Sequence, residues 1–241
     1  MPDLRAPTRF STATRPSAAE ARPRREAGFT LAELAVVLII LALLSGSMLV
    51  PLASRIEARD RQATLDRLRD IQQALTGFAI IHGRLPCPSI EPDPAHPDYG
   101  QEAPPPCNTA AEGLLPWRTL GMPATDAWGS ERTAIDAPWQ GHWRYRADRN
   151  FTDQLISAAT VPASNLQIHA HDGRRITVSD SQAVAIVFSI GANRHADGRN
   201  AIYSATNPGY QAGEPTADFD DMLVWIGRPL LIARLAQAGR L

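Results

Sequence analysis

Oxygen-bearing side chains are concentrated in two stretches near the C-terminus of the chain. The first stretch contains Asp197 and Asn200, and the second contains Asp218, Asp220 and Asp221. Hard cations are bound by carboxylate and amide oxygens, so these side chains are candidate metal ligands. Their spacing is not that of an EF-hand, and the segment between the stretches is long. A solvated loop with local side-chain caps is the alternative interpretation.

The chain contains two cysteines, Cys87 and Cys107, which cannot form a zinc site without further ligands. If this part of the chain lies outside the cytoplasm, the sequence predicts a disulfide that closes the proline- and glycine-rich residues 88–106. By the chain-entropy model such a bridge stabilises a fold by roughly 3 kcal/mol. Two separate buried thiols are the alternative interpretation.

Sequence patterns of enzymes and nucleic-acid-binding proteins are missing. His169 and His171 would share one face of a predicted strand, but no third metal ligand is evident, so surface histidines are favoured. The sequence contains no nucleophile elbow, zinc-protease helix, phosphate loop or dinucleotide fingerprint, which predicts a noncatalytic protein without an organic cofactor. The formal net charge of -1 gives no reason to expect nucleic acid as a partner.

A long apolar segment lies near the N-terminus. Residues 34–44 are wholly apolar, and after Ser45–Ser47 the apolar sequence continues to Ala53, which gives about the twenty residues that a membrane-spanning helix needs. No small-residue cleavage site follows the segment, so we expect it to remain in the mature protein. The residues before it contain more Arg than Asp and Glu, which predicts a cytoplasmic N-terminus.

The residues before the apolar segment form a distinctive junction. Arg24 and Arg25 precede Gly28, Phe29 follows it, and Glu33 is the fifth residue after the glycine. Together with the apolar segment, these residues resemble the processing site of the type IV pilin and type II secretion pseudopilin superfamily. Glycine suits the residue before the cut because it has no side chain to obstruct a protease.

The resemblance implies that a prepilin peptidase and N-methyltransferase cuts after Gly28 and methylates the new N-terminus at Phe29. It also implies assembly with other pilin or pseudopilin subunits at an inner-membrane platform. A carboxylate in a membrane segment is costly and usually has a partner. The expected partner of Glu33 is the Phe29 ammonium of the same chain or of a neighbour; the alternative is that Glu33 reaches water at the interface.

Two further segments resemble pseudopilins. The oxygen-rich stretches resemble the loop of major pseudopilins that holds calcium, which implies structural Ca2+ at the ligands named above. The segments around Cys87, Trp117 and Trp128 resemble a recurring pattern of pseudopilin-like proteins. We expect Trp117, Trp128 and Trp139 to fix a loop to the core, with ligand stacking as the alternative.

The residue pattern predicts an α+β fold of the pilin type. Apolar residues recur at three- and four-residue spacing from Leu65 to Phe78, which predicts that the second half of one long helix packs on an antiparallel sheet. We expect a leader at 1–28, a transmembrane or filament-core helix at 29–53, an amphipathic helix at 54–82 and a globular head at 83–241. The head would contain an irregular proline-rich loop to about residue 138, strands at 143–146, 166–169, 175–178, 183–189 and 222–226, and a short helix at 229–238.

Two functions remain open for such a chain. One is a noncatalytic subunit of a type II secretion pseudopilus or type IV pilus, and the large head and long loop favour a minor component. The other is a signal-anchored periplasmic domain that never polymerises and binds a ligand through its tryptophan- and proline-rich loop. Processing at the N-terminus distinguishes these two functions.

Overall fold

The computed structural model describes residues 28–107, 112–129, 141–178, 181–201 and 208–241, and for residues 45–52 it describes the helical backbone only. The leader with Arg24 and Arg25, and Trp139 of the proline-rich loop, lie outside the described residues. The chain divides into two compact units, Met1–Leu49 and Val50–Leu241. The second unit contains every strand that the structure describes.

The longest element is helix α1, Leu31–His82. The next residue, Gly83, has a φ of +72° and donates its amide to the Ala79 carbonyl at 2.8 Å. Glycine adopts this left-handed conformation without steric cost, and it satisfies one of the carbonyls that a helix end leaves open. The helix therefore ends at the His82–Gly83 pair.

One stripe of α1 is buried in the second unit. Leu68, Ile71 and Leu75 are at most 1% exposed, and they follow the three- and four-residue spacing of one helix face. They belong to the same core cluster as Trp143 of the head and Val184 of the central strand described below. Full burial of each such side chain stabilises the fold by roughly 1.5 to 3 kcal/mol.

The main sheet is antiparallel and four-stranded. Its strands are β1 (Gly113–Leu114), β2 (Arg144–Ala147), β4 (Ala183–Ser189) and β6 (Met222–Gly227), in the order β1-β2-β4-β6. Every residue of β4 is buried. This burial explains its nearly continuous apolar sequence, which is typical of a strand covered on both faces. At the β6 edge, Gln72 of α1 donates its Nε2 to the Trp225 carbonyl at 2.8 Å. Helix and antiparallel sheet together confirm the predicted α+β class.

A second sheet pairs β3 (Gln167–His169) with β5 (Gly209–Gln211) in parallel. The sequence predicted that residues 166–169 lie in the antiparallel sheet, and this placement is wrong because β3 pairs in parallel with β5. The predicted strand at 175–178 is also wrong, since only a single bridge joins Arg175 to His169 and Val178 is 58% exposed.

A buried polar contact joins the two sheets. Tyr210 of β5 donates its hydroxyl to Glu112 at 2.6 Å, and Arg144 of β2 forms an ion pair with the same carboxylate. Burial raises the pKa of Glu112, and the Arg144 guanidinium opposes this rise. The carboxylate therefore holds together elements that are distant in sequence.

The proline-rich stretch contains two short regular elements, β1 and helix α2 (Trp117–Leu120), although the sequence predicted none. Cys87 and Cys107 form a disulfide there, with Cα atoms 5.6 Å apart. Trp117 is 6% exposed and meets Tyr99 edge to face at 4.9 Å between ring centroids. The disulfide and this aromatic pair fix a stretch in which prolines limit backbone hydrogen bonding.

Two more helices follow α2. Helix α3 (Arg149–Thr152) begins at Asp148, whose side chain accepts a hydrogen bond from Asn150 N at 2.9 Å. Helix α4 (Arg228–Gln237) has Pro229 in its first turn and buries Leu231 and Leu235. Helix α4 occupies nearly the residues predicted for the closing helix.

Candidate functional site

The predicted processing junction lies at the start of the described residues. An added Cβ at Gly28 would meet no atom within 4 Å, and Phe29 is 88% exposed. Because neither residue is packed against the rest of the described chain, the peptide bond between them is open to an enzyme. Cleavage there, and methylation of Phe29, remain predictions.

Thr30 and Glu33 form a capping box at the first turn of α1. Glu33 Oε2 accepts the Thr30 amide at 3.0 Å and the Thr30 hydroxyl at 3.1 Å, and Glu33 N donates to Thr30 Oγ1 at 3.2 Å. In the uncleaved chain Phe29 carries an amide instead of an ammonium, so Thr30 is the partner that Glu33 has. Sequence reasoning missed Thr30, although the pattern Thr-x-x-Glu before an apolar run signals this box.

Helix α1 then presents a continuous apolar surface. The large apolar side chains from Leu34 to Leu44 are 47 to 69% exposed. Exposed apolar surface of this extent marks a contact region for lipid or protein. Among the residues that the structure describes, no helix is long and apolar enough to cross a bilayer.

Three carboxylates meet beside the main sheet. One oxygen each from Asp197, Asp220 and Asp221 lies within 4.8 Å of the others. Strand β4 ends at Ser189 opposite Met222, the first residue of β6, so the loop after β4 and the two aspartates before β6 lie together. We call residues 191–197 the cation loop and these three carboxylates the cation site.

Backbone amides position the cation site. Asp221 Oδ2 accepts Asp197 N and Asn200 Nδ2, both at 2.9 Å. Asp220 Oδ2 accepts Asn193 N at 2.9 Å, and Asp197 Oδ2 accepts Asp220 N at 2.9 Å. Each aspartate is therefore fixed by an amide from the opposite stretch.

Two oxygens of the cation site have no hydrogen-bond partner among the described residues. Asp220 Oδ1 and Asp221 Oδ1 are buried and unpaired, and Asp221 as a whole is 3% exposed. Leaving a buried carboxylate oxygen unpaired costs free energy, and a cation would remove that cost. The donor set of carboxylate oxygens fits a hard divalent ion such as Ca2+.

Burial, together with the proximity of the three carboxylates, raises the pKa of Asp220 and of Asp221. The pKa of Asp221 is raised to about 7: burial is the main cause, the charges of Asp197 and Asp220 add to the rise, and the hydrogen bonds from the Asp197 amide and Asn200 oppose it. Burial also raises the pKa of Asp220, with Asp197 again adding to the rise. A bound divalent cation would reverse this effect because it favours the ionised carboxylates.

Of the five predicted ligands, the structure brings the carboxylates of Asp197, Asp220 and Asp221 together, places Asn200 against Asp221 and leaves Asp218 outside the cluster. Asp218 is exposed and lies outside the cation site. Asn200 is 1% exposed, faces Asp221 with its amide nitrogen, and accepts Gln211 N at its oxygen at 2.8 Å. Asn200 therefore positions Asp221 here, and its assignment as a ligand stays a prediction.

Two residues of the cation loop have roles that the sequence did not predict. Asn193 Nδ2 donates to both carboxylate oxygens of Asp197, at 3.2 and 3.0 Å. Gly191 has a φ of +69°, and a Cβ there would collide with the Asp220 carboxylate. A glycine directly after a buried strand is the signal that could have indicated this close approach.

The histidines take no part in the cation site. His169 Nδ1 contacts the Gly173 carbonyl at 3.2 Å, and His171 Nδ1 contacts Gln211 Nε2 at 3.2 Å. Among the described residues, neither histidine belongs to a group of three metal-ligating side chains.

Comparison with known proteins identifies the N-terminal segment. Residues 23–49 match the family model described as the prokaryotic N-terminal methylation motif, the prepilin-type signature of type IV pilins and pseudopilins. The resemblance seen at the junction is thereby confirmed. The motif implies processing by a prepilin peptidase and assembly with other pilin-type subunits, and it is typical of pilins anchored in the inner membrane. No curated protein and no solved structure matches the chain.

Proposed function

We propose that this chain is a noncatalytic pilin-like or pseudopilin subunit, cleaved after Gly28, N-methylated at Phe29, and assembled through its hydrophobic helix into a type II secretion pseudopilus or a type IV pilus. The methylation motif over residues 23–49 is the observation that carries the proposal. Proteins with this motif are generally structural subunits. The large head and its long proline-rich stretch favour a minor component.

The apolar surface of α1 supports assembly by exchange of contacts. Its side chains from Leu34 to Leu44 have about half of their surface or more uncovered within the chain. In the inner membrane, lipid would cover these side chains, and in a filament the helices of neighbouring subunits would cover them. The N-terminus would be cytoplasmic and the head periplasmic. The disulfide between Cys87 and Cys107 suits an oxidising periplasm.

Cleavage after Gly28 changes which group the Glu33 carboxylate can bind. In the precursor its carboxylate binds Thr30, with both bonds to one oxygen, Oε2. Cutting after Gly28 creates an ammonium at Phe29, and its positive charge adds Coulomb attraction for the carboxylate to that of a hydrogen bond. Glu33 would then release the cap and pair with the ammonium of its own chain or of a neighbour, under guidance of the inner-membrane platform.

The cation site would stabilise the head. Asp197, Asp220 and Asp221 would hold Ca2+, which supplies positive charge to crowded carboxylates. Asn193 and Asn200 orient those carboxylates. This second part of the proposal rests on the unpaired Oδ1 atoms of Asp220 and Asp221.

The assembly proposal is tested by expressing the full chain with a prepilin peptidase and filament machinery, then sequencing its N-terminus. A mature start at methyl-Phe29 supports the proposal. An intact leader would refute it and favour the non-polymerising periplasmic domain instead.

The role of Glu33 is tested in the same cells by following each variant into filaments. E33A should insert into the membrane normally and fail to enter filaments. E33D retains the charge and serves as the matched control. Normal incorporation of E33A would contradict the pairing with an ammonium.

A further inference from the structure

A loop that the assembly function does not use lies on helix α1. We call residues 124–129 the clamp loop. Its Ala127 amide donates to Thr64 Oγ1 and its Trp128 Nε1 donates to Glu57 Oε2, both at 3.2 Å. Thr64 is fully buried, so the loop covers this part of the helix.

In a third hydrogen bond, helix α1 is the donor and the clamp loop is the acceptor. Arg67 of α1 donates its guanidinium to the Thr125 carbonyl at 3.2 Å. Polar groups of the helix therefore bind the clamp loop at three points in residues 57–67.

The clamp loop is organised around one buried carboxylate. Asp126 is 2% exposed, and its Oδ1 accepts the amides of Trp128 at 3.0 Å and Gly129 at 2.7 Å. Its Oδ2 accepts the Ser189 hydroxyl at 2.5 Å. Because Asp126 binds the loop's own amides and the end of β4 together, it is a positioning residue for both.

The clamp loop also contacts the cation loop at two points. Ser189 Oγ, which donates to Asp126, accepts Gly191 N at 3.1 Å. Arg194 donates its guanidinium to the Trp128 carbonyl at 3.2 Å. Hydrogen bonds therefore run without interruption from the cation loop through the clamp loop to α1.

We propose that the clamp loop couples occupation of the cation site to the attachment of helix α1 in the head. This inference rests on the proposed cation site. With the ion bound, the carboxylates hold Gly191 and Asn193 in place, and Arg194 and Ser189 hold the clamp loop on the helix. Without the ion, the unpaired oxygens and the mutual repulsion of the aspartates favour an open cation loop, which withdraws Arg194 from the Trp128 carbonyl and the Gly191 amide from Ser189.

The coupling must act equally in both directions. If the ion favours the docked clamp loop, then loss of docking at the helix must weaken ion binding by the same factor. A ligand shifts the equilibrium only as far as it binds one state better than the other. Substitutions on α1 that leave every cation ligand intact are therefore a direct test.

The first measurement is hydrogen exchange of the full-length chain in detergent, with calcium and with chelator. Calcium should slow exchange of the Ala127 amide by at least about fivefold, because that amide bonds the Thr64 hydroxyl of α1 in the docked loop. The amides of Leu85 and Ser89, which bond Phe151 and Leu114, should be unaffected.

The second measurement is calcium affinity of helix variants by titration calorimetry. T64V removes the acceptor of the Ala127 amide and should weaken binding by at least about fivefold. T76V is its matched control, since Thr76 Oγ1 donates only within the helix, to the Gln72 carbonyl. Should T64V fail to fold, E57A serves at an exposed position, and E57Q, which keeps an acceptor for Trp128 Nε1, should restore affinity.

The outcomes separate the two proposals. Calcium binding with unchanged clamp-loop exchange, or with equal affinities for wild type, T64V and E57A, overturns the coupling and leaves the cation site standing. No heat of binding for the wild type overturns the cation site, and the coupling with it. Slower exchange together with weakened binding by the helix variants supports the coupling.

Discussion

Replacing Asp221 by Asn should stabilise the calcium-free chain, although the aspartate is buried and well positioned. The pKa of Asp221 rises from 3.8 to about 7 in the folded chain. A group whose pKa is raised by folding contributes its stability below the unfolded value, and that stability is lost as pH rises through the folded value. Ionised Asp221 therefore costs the fold stability at neutral and alkaline pH.

The size of the effect follows from the shift. A difference of about three pKa units corresponds to roughly 4 kcal/mol once the pH exceeds 7. D221N keeps an oxygen for the amides of Asp197 and Asn200, and its new amide group can donate to the neighbouring carboxylates. We expect a gain of about 2 to 4 kcal/mol at pH 8 in chelator, equivalent to roughly 4 to 16 °C in melting temperature.

The assay is thermal unfolding of wild type and D221N at pH 5 and pH 8, with chelator and with calcium. Calcium should raise the melting temperature of the wild type at pH 8 and leave D221N unchanged. D218N is the matched control, because Asp218 is exposed and outside the cation site. If D221N melts below the wild type in chelator, or if both respond equally to calcium, the reasoning about the cation site is wrong.

Three other predictions concern the helix, the core and the disulfide. T30V removes the hydroxyl of the capping box and should destabilise α1 by about 1 kcal/mol. It should lower filament incorporation, measured as filament yield, less than E33A does. A defect as large as that of E33A would contradict this order. L75A should lower the unfolding free energy of the head by about 2 to 5 kcal/mol, whereas L38A should leave this free energy unchanged and reduce assembly. Denaturant titration measures the unfolding free energy of both variants. Equal losses of unfolding free energy would refute the division of α1 into a buried surface and a contact surface. The double variant C87S/C107S should lose roughly 3 kcal/mol in denaturant with normal cleavage after Gly28; stability equal to the oxidised wild type would show that the bridge contributes nothing.

Long elements were predictable because their signals are local. The apolar run at 183–189 and the helical stripe ending at Phe78 each carry their period within one segment. Strands β1 and β5 are two and three residues long, so no period can be read from them. They exist because Tyr145 and His169 lie on neighbouring strands that supply the register, which is a property of the fold as a whole.

The cation site was predictable in part for the same reason. Asp220 and Asp221 directly precede β6, and Asp197 follows β4, so pairing of those strands brings them together. The choice between Asn200 and Asp218 depends on how the loops turn, which residue types alone do not determine. Thr30, by contrast, was readable from its spacing to Glu33.

The bond from Gln72 to the Trp225 carbonyl bears on how copies of this chain can join. Strand β6 lies at the edge of the main sheet, and an open edge is a template on which another chain can add a strand. Gln72 occupies one of the carbonyls that such a strand would need. A chain that polymerised through its helices, as proposed above, would be exposed to edge-to-edge strand pairing at high local concentration, and the Gln72 side chain would oppose that pairing at β6.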